Sequence, residues 1–187
     1  MNYDSQKGMT LIETLVAITI LSVAIVAPMS LTMQSLASAY YARDQIVASN
    51  LAQEAIESVR AARDSNILRL ALNDPDPTCT PTTLLCGFPT IGIDGVDFII
   101  DTRTNEMTPC NGTCPRLQTD PDQSLYGYQS GWGDTAYRRT IHAEFLDESQ
   151  NEIRLTVTVT RVDGLHTMPP VVLYENLYRW VGDGSGI

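Results

Sequence analysis

Residues 8–33 read GMTLIETLVAITILSVAIVAPMSLTM, an apolar run interrupted by one acidic side chain, Glu13. From Met9 to Ala42 Glu13 is the only charged residue, and no glycine occurs between Met9 and Leu72. A stretch of this length suffices to cross a bilayer as a helix, which takes roughly 20–25 apolar residues. A carboxylate at the bilayer centre costs roughly 2.5–3.5 kcal/mol even on lenient insertion scales. Plain anchoring therefore does not explain Glu13, and a partner that offsets its charge is expected.

The apolar spacing continues beyond the run. Val47, Leu51, Ala55, Val59 and Ala62 recur every three to four residues, with Asn50, Glu54, Glu57 and Arg60 between them. This is the period of an amphipathic helix. Glu57/Arg60 and Arg60/Asp64 stand at helical pair distances. One helix is expected from about Thr10 to Leu68, apolar in its first half and amphipathic in its second. Pro28 is the only proline in it and removes one backbone hydrogen bond, so it reads either as a proline tolerated in a membrane helix or as a functional helix kink. Asn73–Pro81 (NDPDPTCTP) ends the helix.

The remainder reads as a small β domain. Gly95–Thr102 alternates as one strand. Residues 103–135 are rich in Asn, Gly, Pro, Asp and Ser and read as a long loop. Tyr137–Leu146 and Glu152–Val162 form a half-buried antiparallel hairpin, in which Ile153, Leu155, Val157 and Val159 alternate with Arg154, Thr156, Thr158 and Thr160. Val171–Val181, with Trp180 near its end, supplies a third meander strand. The fold class is α+β.

Four cysteines fall in two close pairs, Cys79/Cys86 and Cys110/Cys114. An anchor that exports the rest of the chain places them outside the reducing cytosol, where disulfides persist, and all three connectivities remain open. A zinc site fits less well, because only one of the two spacings lies in the usual range and no histidine is near. Asn111-Gly112-Thr113 matches a glycosylation acceptor but reads more simply as a turn within a closed loop.

Net charge is −10, and the single lysine, Lys7, lies just before the apolar run, on the flank of a positive-inside anchor. So acidic a chain offers no basic patch for phosphates, which argues against nucleic-acid binding. Catalysis finds no motif: there is no phosphate-binding glycine loop, no HExxH and no nucleophile elbow. His142 and His166 read as ordinary surface histidines, and Arg138-Arg139 as a solvated strand edge. No cofactor and no metal is expected.

GMTLIETLVAITIL (8–21) resembles the class III processing site of type IV pilins and of the pseudopilins of type II secretion. The resemblance implies a leader, residues 1–8, with basic Lys7 near the cut. It implies cleavage after Gly8, N-methylation of the new N-terminus Met9, and an assembly role for Glu13. Gly8 suits such a cut because a residue without Cβ lets a peptidase draw the scissile backbone close. Met9 stands where the family most often has Phe, as in minor pilins and the I-type pseudopilin, and Asp4 dilutes the basic leader. ASNLAQEAIESVRAARDSN (48–66) and the late YRRTI…NEIRLTVTVTRVDG hairpin resemble V-type minor pilins. The implied organisation is a transmembrane and assembly helix over 9–33, its amphipathic continuation over 34–72, and a globular domain over 73–187.

The implied partners are a prepilin peptidase/methyltransferase, other pilin or pseudopilin subunits, an inner-membrane assembly platform and, before assembly, membrane lipid. The implied location is a single pass through the inner membrane and then a fibre. Within this resemblance Glu13 pairs either with the Met9 amine of its own chain or with that of a neighbouring subunit. Two other readings stand beside a type IV minor pilin: a type II secretion pseudopilin, and a secreted binding module cut by signal peptidase after Ala39 in Ala37-Ser38-Ala39.

Overall fold

The computed structural model describes residues 10–72, 95–122, 125–146, 152–163 and 168–178. One helix, α1, runs over Leu11–Ala71, with Pro28 inside it. It begins where Thr10 caps it, and its last backbone hydrogen bond joins the Leu72 amide to the Leu68 carbonyl. The absence of glycine lets it continue for 61 residues. By compactness the chain divides into two units, Met1–Asp44 and Gln45–Ile187.

In the second unit a five-stranded antiparallel sheet has the order β2-β1-β6-β7-β8. Its strands are β1 (Phe98–Asp101), β2 (Glu106–Pro109), β6 (Tyr137–Phe145), β7 (Glu152–Arg161) and β8 (Val171–Tyr178). The β6–β7 hairpin pairs over its whole length, from Tyr137 opposite Arg161 to Phe145 opposite Ile153. Its strict alternation buries Ile141, Ala143, Ile153, Leu155, Val157 and Val159 on one face. The helix lays Ala48, Leu51, Ala52, Ala55, Ile56 and Val59 against that face, together with Phe98, Ile100 and Leu177. The alanines among them let the helix backbone approach the sheet closely. Of the expected stripe of Val47, Leu51, Ala55, Val59 and Ala62, the first four pack in this core and Ala62, half-buried, is not part of it.

Two expectations are corrected. The segment 103–135 is not one irregular loop. It contains β2, paired with β1 through a turn at Thr102–Asn105, and a second, three-stranded sheet of order β4-β3-β5. The latter consists of β3 (Gln118–Thr119), β4 (Tyr126–Gly127) and β5 (Gly133–Asp134). Strands of two to four residues are too short to show a period, and their polar, glycine-rich composition is that of turns. Nor does β1 alternate between buried and exposed residues, since all four are buried. Phe98 and Ile100 face the helix side, while Ile99 on the other face is covered by Cys110, Cys114 and Tyr128. The third meander strand is present as β8; residues 179–181, with Trp180, lie outside the described residues.

The β1–β2 turn is tied to the helix. Asn105 takes a positive φ of 56°, a conformation that asparagine tolerates better than most residues. Its Oδ1 accepts a hydrogen bond from Ser58 Oγ at 2.6 Å. Thr102 Oγ1 donates to Glu54 Oε1. Two helix side chains one turn apart thus hold one turn of the sheet.

Candidate functional site

The start of α1 is built by four residues, Thr10-Leu11-Ile12-Glu13. The Thr14 amide donates to the Thr10 carbonyl at 3.2 Å, the first bond of the helix. Thr10 Oγ1 accepts from the Glu13 amide at 3.3 Å. A hydroxyl at the N-cap and a glutamate three residues later form the pattern of a capping box, which satisfies backbone donors that the helix leaves unpaired. Glu13 also lies in the first turn, where the helix dipole favours a negative charge. Its side chain is exposed, and among the described residues it has no ion-pair partner. Lys7, Gly8 and Met9 lie outside the described residues.

Beyond Glu13 the helix presents apolar side chains all round. Leu11, Ile12, Leu15, Val16, Ile18, Ile20, Leu21, Val23, Ile25, Val26, Met29, Leu31 and Met33 are all at least half exposed. The hydroxyls interspersed among them turn inward. Thr14 donates to the Leu11 carbonyl, Thr19 to Val16, Ser22 to Ile18 and Thr32 to Pro28, each at 2.8 Å. Hydroxyls bonded back to their own helix add little polarity to its surface. The stretch is long and apolar enough to cross a membrane. It runs unbroken through Pro28 and through Ala37–Ala39.

The cysteine expectations divide. Cys110 and Cys114 form a disulfide, which closes a ring of five residues. Within it the Gly112 amide donates to the Cys110 carbonyl at 3.0 Å and Gly112 has a φ of +88°, so the NGT triplet forms the expected turn. The ring packs on Ile99 and Tyr128. Burial pushes the Tyr128 phenol above its ordinary pKa. Cys79 and Cys86 lie outside the described residues, as does His166. Among the described residues no three His, Cys, Asp or Glu side chains are grouped to hold a metal ion. His142 sits half exposed on β6 with Nδ1 3.0 Å from Asp97 Oδ1.

Arg139 corrects the reading of Arg138-Arg139 as a solvated edge. Its side chain is completely buried. Nη1 donates to the Leu51 carbonyl at 3.0 Å and Nη2 to the Ile100 carbonyl at 2.9 Å, with Glu54 Oε2 3.6 Å from Nη1. One guanidinium thus bonds both the helix and β1. The signal was available: the alternation that puts Arg138, His142 and Glu144 on the outer face of β6 puts Arg139 on the face of Tyr137, Ile141 and Ala143.

In a scan of family models, residues 3–27 match the prokaryotic N-terminal methylation motif. This N-terminal segment is similar to the methylation motif that type IV pilin-like proteins carry. The match spans Lys7, Gly8, Met9, Thr10 and Glu13 and the helix as far as Ala27. It implies processing by a prepilin peptidase and assembly with other pilin-type subunits. Comparison with curated proteins gave no match, and comparison with solved structures gave none. The pilin-like architecture of the rest therefore stands on the fold itself, a long N-terminal helix packed by its second half on an antiparallel sheet.

Proposed function

We propose that the chain is a minor subunit of a type IV pilus. Residues 1–8 are its leader, 9–33 its membrane and assembly helix, 34–72 the amphipathic continuation, and 73–187 the exported domain with its cysteine-bearing loops. The peptidase cuts after Gly8 and the Met9 amine is methylated, which preserves its positive charge. An α-amino group has an unperturbed pKa near 8 and is mostly cationic at neutral pH. The chain first crosses the inner membrane once and then moves into the fibre. An assembly platform draws it out.

The observation that carries this reading is the lone carboxylate of Glu13, exposed at the first turn of an otherwise apolar helix and lying within the methylation motif. Met9 immediately precedes the Thr10 cap, so cleavage creates a cation beside the helix end that already bears Glu13. In an apolar medium neither charge is tolerable alone. Pairing with a neighbour's amine fixes the axial stagger of subunits, because the apolar surface passes from lipid to helix contacts with little change in burial and leaves register to the ion pair and packing. Cleavage after Ala39 would discard both Glu13 and the motif, which disfavours a secreted module.

A type II secretion pseudopilin shares all of this chemistry, and Met9 as first mature residue suits it too. Quantitative mass spectrometry of purified surface pili separates the two. A minor pilin is expected in the pili at a small fraction of the major subunit. Its absence from pili, together with loss of protein secretion in a deletion strain, would assign it to the secretion machine.

A further inference from the structure

The geometry points to Tyr40 and Tyr41 as a phospholipid-headgroup seat that, with Glu13 at the opposite face of the bilayer, sets the depth of the N-terminal helix before assembly. This rests on the membrane-anchor reading above. At 1.5 Å per residue, Thr14 to Met33 rises roughly 30 Å, the thickness of the hydrocarbon core. Every residue in that stretch is uncharged, and its hydroxyls at 14, 19, 22 and 32 bond back to helix carbonyls. The following segment, Gln34-Ser35-Leu36-Ala37-Ser38-Ala39, mixes polar and small side chains and is no longer a hydrocarbon-matched surface.

Tyr40 and Tyr41 come next, both about half exposed, and Arg43, also exposed, follows them. From Glu13 to Tyr40 the helix rises about 40 Å, close to the roughly 40–45 Å that includes both headgroup layers. Two features bring the rings down to that level. Helical side chains lean toward the N-terminus, so each ring lies below its own Cα. An ordinary tilt of about 20° shortens the projected length by a few ångströms.

A tyrosine suits this layer because its ring is apolar while its hydroxyl is polar. Adjacent helical positions differ by about 100° in direction, so the pair covers a broad arc of the helix. Arg43 completes the seat with a cation for lipid phosphate. The same register puts Glu13 at the inner boundary before assembly, so the cost of burying its charge falls on the step that carries it into the apolar fibre core, where the partner amine is needed.

The test uses the full chain, with its two native tryptophans removed by Trp132→Phe and Trp180→Phe, in phosphatidylcholine vesicles. The lipids are brominated either near the ester end of the acyl chain or near its methyl end. Tyr40→Trp is expected to lose more fluorescence to the shallow bromines, and Val23→Trp, at mid-span, more to the deep ones. Strongest quenching of Tyr40→Trp by the deep bromines would overturn the proposal. So would no quenching of it by either lipid while Val23→Trp is quenched. If Val23→Trp is quenched by neither, the anchor reading itself fails, and the headgroup seat falls with it.

Discussion

Glu13→Ala is expected to insert into the membrane as well as the wild-type chain and to be lost from sheared pili. Insertion depends on the apolar stretch from Leu15 to Met33, which the substitution leaves intact and makes slightly more apolar. In the proposed function, assembly depends on the carboxylate. Removing one partner of a desolvated ion pair costs about 3 kcal/mol or more, because the other charge is left buried and uncompensated. That is more than a hundredfold in an association equilibrium. Glu13→Gln should fail in the same way, since it keeps the size and the helix position but not the charge. Co-expression with the wild-type chain makes the measurement internal: both forms should appear equally in membranes and only the wild type in the pili. Equal incorporation of both would remove Glu13 from the assembly mechanism.

The second large effect is expected at Arg139. Arg139→Ala should lower the unfolding free energy of the full chain in detergent by about 3 kcal/mol, as a buried charge network is broken and a large cavity is left. The side chain bonds the Leu51 carbonyl of the helix and the Ile100 carbonyl of β1, with Glu54 beside it, so its loss loosens the helix from the sheet. Arg139→Met fills most of the volume without the donors and separates packing from bonding. It should still lose about 1–2 kcal/mol, because the volume is kept while the Leu51 and Ile100 carbonyls lose their donor and Glu54 its cation. Denaturant unfolding of the three forms checks both values. A loss below about 1 kcal/mol for Arg139→Ala would mean that the bonds add nothing to ordinary packing.

The same residue shows how far the sequence could be read. Strict alternation made the β6–β7 hairpin legible, because a strand half covered by a helix must repeat every two residues. That alternation already assigned Arg139 to the inner face. A fully buried arginine can stand on that face because backbone carbonyls accept its donors. The long helix was legible for a simpler reason: nothing between Met9 and Leu72 breaks it except Pro28, and the helix passes through that position.

The strands β2 to β5 were not legible. Pairing two-residue strands such as Gln118–Thr119 with Tyr126–Gly127 depends on contacts far along the chain, and local composition there signals turns. The uniform burial of β1 was hidden as well, since it depends on the Cys110–Cys114 ring and Tyr128 covering Ile99. The candidate site was more readable than the fold, because its meaning lies in one charge at one place. The structure added Thr10, whose hydroxyl caps the turn that carries Glu13.

In the proposed function Glu13 meets an amine that exists only once the leader is removed. Mass spectrometry of the N-terminal peptide of the chain recovered from membranes and pili tests this directly. The account predicts a chain that begins at Met9 and carries a methyl group on its amine. A chain that begins at Tyr40, or one that retains Met1, would contradict it.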